Sequence, residues 1–307
     1  MNQKQQTTLA IFMFILVLLG NSVIFSIVPY LTKPVTAGGL GYHAFQVLFL
    51  YSAIALVCML PWAVKQGRKG LATTRAKHYA LRAAIEYTAY ALTLTSLGYL
   101  GTDFTLPMHT ALNFITPLLA TVVTIFILKE RSHIHTWIAL LVGFVGVLVI
   151  TRPGMIPLSP GVLYVLGAAF MFSTCGVVIK LLCSSESPTH IAFYFLLSTT
   201  ILSIPMGLLH WQNPTPEAWL WIGVIGVLSW AVQILIGKAI SKVPYMVIIP
   251  LNFVQLVFST ILGFVVYHQS LDSGTLGGAL IILGGCVYNT WRTRVHAERE
   301  AAIAVTM

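Results

Sequence analysis

The sequence predicts an all-α polytopic membrane protein. Its ten transmembrane helices would form two inverted five-helix repeats, with both termini in the cytoplasm. The composition, the spacing of apolar runs and the positions of Lys and Arg carry this prediction. Of the 307 residues, 57% are hydrophobic and only 8% are charged, whereas soluble domains average about 25% charged residues. Such a chain cannot cover a water-facing surface, so a soluble enzyme and a disordered protein are excluded.

A helix needs about 20 apolar residues to cross the hydrocarbon core of a bilayer. Apolar runs of that order recur along the chain, separated by Pro, Gly and clusters of charge. The first run follows a polar N-terminus without a small-residue cleavage site, so we interpret it as a span and not as a signal peptide. The predicted spans are residues 9–31, 44–64, 79–98, 104–128, 136–151, 161–182, 189–210, 218–237, 244–267 and 274–291.

The basic residues predict the orientation of these spans. With a cytoplasmic N-terminus, fourteen of the 17 Lys and Arg residues fall on inner segments. Lys33 and Arg152 fall on outer segments, and Arg82 lies inside the third span. Basic residues accumulate on cytoplasmic loops, so the net charge of +9 is explained by membrane topology and predicts no nucleic-acid partner. We expect a multi-pass protein of the cell inner membrane.

The two halves of the chain resemble each other. Leu112-Asn113-Phe114 in the fourth span is matched by Leu251-Asn252-Phe253 in the ninth, 139 positions later. The same offset pairs Gly146 with Gly285, and a slightly larger offset pairs Lys33 with Lys180. We therefore predict a first repeat over 1–153, a second over 154–293 and a cytoplasmic tail over 294–307. Five spans is an odd number, so the second repeat would enter the bilayer with opposite polarity, as in many secondary carriers.

A family resemblance rests on particular motifs. They are Leu128-Lys129-Glu130-Arg131-Ser132, the later Gly143, Gly146 and Thr151-Arg152-Pro153, and Phe25-Ser26 with its copy Phe172-Ser173. With Pro117 and Arg82, these motifs resemble EamA-type carriers of the drug/metabolite transporter superfamily. The third to sixth spans are similar to those of its S-adenosylmethionine uptake members, and amino-acid exporters share much of the pattern. The resemblance implies a metabolite carrier without a cofactor. Tyr267-His268-Gln269, in place of the family's Gly-Glu pair, and Glu86 depart from the pattern.

Glu86 is the one acidic residue well inside a predicted span. Ionisable groups in lipid are costly and mark ion or substrate pathways unless they are paired structurally. Arg82 lies four positions earlier, on the same helical face. Two interpretations stay open: a structural ion pair, or a site where Glu86, with Tyr90 on that face, binds a cationic group or carries a coupling proton.

Polar stripes run along the repeat-related fourth and ninth spans. His109, Asn113 and Thr116 form the first stripe, and Asn252 and Gln255 belong to the second. Pro107, Pro117 and Pro250 flank the stripes, and proline frees backbone carbonyls that can face a cavity. The stripes predict a substrate site at the repeat interface; amide bridges between neighbouring helices are the alternative.

The eighth span carries Trp230 near its middle. This position lies away from the interfaces where tryptophan is usually enriched. A stacking contact with the ligand would explain it, and plain packing is the alternative.

We hypothesise a secondary carrier for a zwitterionic or cationic metabolite. Its predicted partners are that small molecule, a coupling proton, membrane lipid and a homodimer contact through Gly274 and Gly278. No catalytic residue, metal site or cofactor is expected, since nucleotide-loop and zinc motifs are missing from the sequence. The rivals are a membrane enzyme for lipid-linked groups, with His109 and Glu86 as acid and base, and a sensor or scaffold. The predicted substrate-binding residues are Glu86, Tyr90, His109, Asn113, Trp230, Asn252 and Gln255.

Overall fold

The computed structural model describes residues 3–32, 39–97, 106–130, 134–152, 159–267 and 273–306, and every regular element in these ranges is helical. Lys33, Arg131, Ser132, Pro153, His268 and Gln269 lie outside the described residues. So do residues 98 and 104–105, at the edges of two predicted spans. The helices are α1 (Gln3–Thr32), α2 (Ala44–Leu71), α3 (Ala76–Leu97), α4 (Leu106–Asn113), α5 (Thr116–Ile127), α6 (Ile134–Thr151), α7 (Pro160–Leu182), α8 (Pro188–Leu209), α9 (Pro216–Lys242), α10 (Tyr245–Ile248), α11 (Val254–Tyr267) and α12 (Ser273–Thr306).

Seven helices in the described part of the chain are long and apolar enough to cross a membrane. They coincide with the first, second and fifth to ninth predicted spans. Shorter apolar helices at Ala111–Ile127 and Ser273–Asn289 match the fourth and tenth spans. The third predicted span forms the continuous helix α3, which carries Arg82 and Glu86 in its interior. The chain is therefore a polytopic membrane protein, and the count of ten spans stays a prediction.

The final helix is longer than the predicted tenth span. That span ends at residue 291, whereas α12 continues to Thr306 through the segment predicted as a tail. Ala, Glu and Arg dominate the added residues, and all three are strong helix formers. Hydropathy marks the membrane-crossing part of a helix and not the helix end, which explains the difference.

The fourth and ninth predicted spans are both interrupted. The fourth is divided between α4 and α5 by a turn at residues 114–115. The ninth is divided between α10 and α11 by the 3-10 segment Ile249–Phe253. Pro117 lies in the first turn of α5 and Pro250 lies in the 3-10 segment, and proline cannot donate the backbone hydrogen bond of a helix interior. The two breaks fall at positions that the predicted repeat pairs with each other.

Contacts between the two halves follow a reciprocal pattern. Helix α3 packs on α7 and α1 packs on α9; α5 packs on α7 and α1 packs on α11. Helices α2 and α8 pack on each other, as do α6 and α12. The predicted repeat pairs α1 with α7, α2 with α8, α3 with α9, α5 with α11 and α6 with α12. When the members of each pair are exchanged, every one of these contacts becomes another contact of the set. The halves therefore interlock through equivalent faces.

The contact between α6 and α12 depends on small residues. A Cβ atom added to Gly278 would lie 2.8 Å from the carbonyl oxygen of Gly146, and one added to Gly146 would lie 2.9 Å from that of Gly278. A Cβ on Gly274 would collide with Arg152. Small residues allow such close approach of membrane helices. These glycines pack within the chain, and the homodimer stays a prediction.

At the predicted outer end, residues before and within α2 contact the α8–α9 loop. The side-chain amide of Gln46 donates to the Gln212 carbonyl at 2.5 Å, and the Gln212 N–H donates back to Gln46 Oε1 at 3.1 Å. The imidazole rings of His43 and His210 stack with their centroids 4.0 Å apart. The two halves are therefore joined by polar contacts at this end.

At the predicted inner end, two charged side chains hold the junction between α9 and α10. Lys180 Nζ donates to the carbonyls of Ile240 and Val243 at 2.9 and 2.5 Å. The Glu130 carboxylate accepts the N–H groups of Tyr245 and Met246, both at 3.1 Å. A cation at a helix C-terminus and an anion at a helix N-terminus both complement the helix dipole. We call these contacts of Lys180 and Glu130 the inner latch.

The α6–α12 contact predicts a stability effect. Gly278→Ala places a methyl group against the backbone of α6, and overpacking of this kind costs about 1–3 kcal/mol in the free energy of unfolding. We expect a lower melting temperature in detergent for this variant. Gly277→Ala is the matched control, because apart from its own stretch of helix no described atom lies within 4 Å of a Cβ at that position. Equal melting temperatures for the two variants would contradict the close approach.

The histidine stack predicts a pH dependence of stability. Burial, and to a lesser extent the neighbouring His210, hold the pKa of His43 below its ordinary value of 6.5. Because the unfolded chain binds this proton more readily, the contribution is fully present above pH 6.5 and is lost as the pH falls through the lowered pKa. We expect the melting temperature to fall on acidification, and to fall less steeply in His43→Gln. His78→Gln, which leaves the stack intact, should keep the wild-type slope; an unchanged slope in His43→Gln would refute the assignment.

Candidate functional site

A polar stripe on α3 faces the second half of the protein. Tyr79, Arg82, Glu86 and Tyr90 are spaced three or four residues apart, so they share one helical face. Arg82 and Glu86 are only 2% and 9% exposed. Two ionisable groups are thus buried where α3 packs on α7 and α8.

Arg82 is held by the backbone and side chains of two other helices. Its Nη1 donates to the carbonyl of Ile191 on α8 at 3.0 Å, and its Nη2 donates to Oε1 of Gln233 on α9 at 3.5 Å. The guanidinium carbon lies 4.7 Å from the centroid of the Phe195 ring, a cation–π arrangement. These contacts fix the guanidinium between the halves.

Glu86 lies at the centre of a second set of contacts. Its Oε2 is 3.5 Å from Nε of Arg82, and the thiol of Cys175 on α7 donates to the same oxygen at 3.4 Å. Tyr51 of α2 and Tyr90 both lie within electrostatic range of the carboxylate. The Tyr90 ring meets Phe172 of α7 edge to face at 5.6 Å. The ion pair is formed, and the binding role of Glu86 and Tyr90 stays a prediction.

The two polar stripes meet where the broken helices touch. The rings of Phe114 and Phe253, which are repeat-related, stack with centroids 6.1 Å apart. On one side, the Thr116 hydroxyl donates to the carbonyl of Asn113 at 2.6 Å. On the other side, the Asn252 amide donates to the Ile249 carbonyl at 2.9 Å. The amide of Asn252 thus supports its own turn.

The other stripe residues are His109 and Gln255. His109 on α4 is 7% exposed. The carbonyl of Gln255 accepts the Ser22 hydroxyl of α1 at 3.1 Å. The stripe on α11 is thereby tied to the first helix of the opposite half, and substrate binding by His109, Asn113, Asn252 and Gln255 stays a prediction.

Trp230 packs between α2 and α8. Its indole N–H points at Sδ of Met59 on α2 at 3.2 Å. Its ring contacts the apolar cluster that contains Phe195, the residue beneath the Arg82 guanidinium. These contacts favour the packing interpretation, although the ring lies only one side chain away from Arg82.

Sequence reasoning did not select Tyr51, Tyr79, Cys175 or Gln233 as site residues. Tyr79 carried a usable signal, because it lies three residues before Arg82 on the same face. Tyr51, Cys175 and Gln233 reach the ion pair from α2, α7 and α9. A contact between distant helices leaves no trace in local spacing.

The known proteins that this chain resembles are transporters, which is the class of protein that the sequence predicts. Residues 12–152 and 159–291 each match the EamA-like transporter family. The chain is 27% identical to the S-adenosylmethionine uptake transporter of Rickettsia prowazekii over 81% of this chain and 84% of that protein. It is 28% identical to the riboflavin transporter of Vibrio cholerae, over 86% and 88% of the two chains.

A solved structure shares the fold. It aligns with a TM-score of 0.76 at 16% identity, covering 93% of this chain and 97% of the other. The family and the relatives are transporters and not enzymes, so the rival reading as a membrane enzyme is set aside. With both matched segments spanning most of its length, the chain belongs to the EamA-like transporter family.

Proposed function

We propose that this protein is a secondary active transporter that moves a small zwitterionic or cationic metabolite across the cytoplasmic membrane by alternating access. The observation that carries the proposal is the buried Arg82–Glu86 pair at the interface of the halves. Burying charge in a membrane protein costs several kcal/mol unless a partner or a pathway compensates it. In a carrier this burial has a function, because a rocking motion of the two halves would expose the charged pair to the solute.

The architecture of the proposal is ten spans in two inverted repeats, with both termini in the cytoplasm. The reciprocal contacts between the halves support it, since α3 on α7 is matched by α1 on α9. The paired breaks support it as well, because irregular backbone at membrane depth occurs where it faces protein or a cavity. The two halves would rock around the region where Phe114 meets Phe253.

S-adenosylmethionine is the leading substrate. Its sulfonium and ammonium groups are cationic, and Glu86 offers a buried carboxylate to such a group. A riboflavin relative is equally similar to this chain, but riboflavin is uncharged at neutral pH and would leave the charged pair without a role. Relatives also include the pseudopaline exporter of Pseudomonas aeruginosa, 26% identical over 64% of this chain, so both directions of transport need testing.

The proposal is tested with purified protein in liposomes. We expect saturable flux of labelled S-adenosylmethionine and none of labelled riboflavin. A screen by thermal shift widens the search, because a ligand at a hundredfold excess over its dissociation constant stabilises a protein by roughly 2.7 kcal/mol. Absence of saturable flux for every metabolite that stabilises the protein would overturn the proposal.

Glu86→Gln should abolish gradient-driven transport in protein that still folds with a lower melting temperature, because Arg82 loses its buried counter-ion. The amide keeps the shape of the side chain and loses the charge that would bind the cation or carry a coupling proton. Glu217→Gln is the control, since this exposed carboxylate bonds Tyr30 at the predicted outer end. Uphill uptake retained in Glu86→Gln would exclude the proton role.

A further inference from the structure

Two buried hydrogen-bond donors on α3 have no acceptor in the part of the chain that the structure describes. They are the hydroxyl of Tyr79 and Nε of Arg82. Tyr79 is 7% exposed and Arg82 is 2% exposed. The Nε–H of Arg82 lies 3.5 Å from Glu86 Oε2, close enough for an ion pair but without the geometry of a hydrogen bond.

Native proteins leave few buried donors unsatisfied, and those that remain point to a function or to a bound molecule. The neighbouring Tyr194 shows that a partner is attainable in this region. Its ring lies tilted by 33° against that of Tyr79 with centroids 4.4 Å apart, and its hydroxyl donates to the Leu71 carbonyl at 2.5 Å. The hydroxyl of Tyr79 therefore lacks a hydrogen-bond partner among the described residues, whereas that of the adjacent Tyr194 has one.

The two open donors belong to side chains three residues apart on α3. Residues three apart on a helix are surface neighbours, with their Cβ atoms about 5–6 Å apart. Nη1 and Nη2 of Arg82 each donate one hydrogen bond, to Ile191 and Gln233, whereas Nε is the guanidinium nitrogen without a hydrogen-bond acceptor among the described residues.

Glu86 completes the arrangement one turn further along α3. In order, the face presents a hydroxyl donor, a cationic donor and a carboxylate. A simple cation on Glu86 would take the carboxylate away from Arg82 and leave a buried guanidinium without a counter-ion, which is costly. A ligand that brings its own carboxylate would keep each buried charge opposite a charge of the other sign.

We propose that Tyr79 and Arg82 form a carboxylate subsite, which makes this transporter selective for zwitterions over simple cations. The ligand carboxylate accepts from the Tyr79 hydroxyl and from Arg82 Nε, while its cationic group faces Glu86. This inference rests on the proposed function, since it names the substrate class of the same site. Tyr79 is thereby a specificity-determining residue.

The test compares ligands that differ only in the carboxylate. Binding of S-adenosylmethionine and of its decarboxylated form is measured on purified protein, with L-methionine and L-methioninamide as a second pair. Wild type should prefer the carboxylate-bearing member of each pair. Tyr79→Phe should weaken binding of that member by at least about tenfold, the effect of one hydrogen bond to a charged group, and should leave the other member unchanged.

The variant is expected to fold, because removing an unsatisfied donor is neutral or stabilising. Its melting temperature without ligand should equal or exceed that of wild type. Tyr194→Phe is the matched control: losing its bond to Leu71 should lower the melting temperature and leave the preference between ligands intact. A wild-type protein that binds both members of each pair equally, or a Tyr79→Phe variant that keeps the preference, would overturn the subsite.

The outcomes also separate this inference from the function on which it rests. Flux of a metabolite with an unaltered ligand preference in Tyr79→Phe would remove the subsite and leave the transporter standing. A carboxylate preference that Tyr79→Phe abolishes, without flux of any bound metabolite in liposomes, would keep the subsite and remove transport.

Discussion

The cost of burying an ionised group away from water governs this protein. Arg82 is 2% exposed, so the fold has to supply acceptors to its guanidinium in the interior of the protein. It does so with Ile191 of α8, Gln233 of α9 and Glu86 of α3. One side chain from the first half therefore draws two helices of the second half toward it. The interlock between the halves and the candidate site share the same atoms.

The sequence predicts this region only as far as local spacing reaches. Arg82 and Glu86 are four residues apart, so their pairing follows from helix geometry alone. The thiol of Cys175, by contrast, meets Glu86 across 89 positions of chain, and nothing in the sequence near either residue indicates it. For Trp230 the sequence leaves a ligand contact and plain packing open. In the fold its indole meets Met59 and an apolar cluster, which favours packing.

The same limit applies to the helices. Runs of apolar residues locate the spans because hydropathy is a sum over many residues. Pro117 and Pro250 indicate where the fourth and ninth spans weaken, yet the 3-10 form of Ile249–Phe253 depends on tertiary contacts. Similarly, the predicted repeat pairs Gly146 with Gly285, whereas in the fold Gly146 approaches Gly278. Sequence symmetry and spatial contact are different relations.

The inner latch has a consequence for the energetics of the transport cycle. Glu130 is an anion, while the residue 139 positions later in the second repeat is the neutral Gln269. In a carrier that alternates between two openings, parting the predicted inner end has to break charge-assisted bonds to Tyr245 and Met246. Position 269, which the predicted repeat pairs with Glu130, carries no acidic side chain, so these bonds have no charged counterpart at that position. In the proposed cycle, a bound substrate would have to offset the cost of breaking these bonds before the predicted inner end opens.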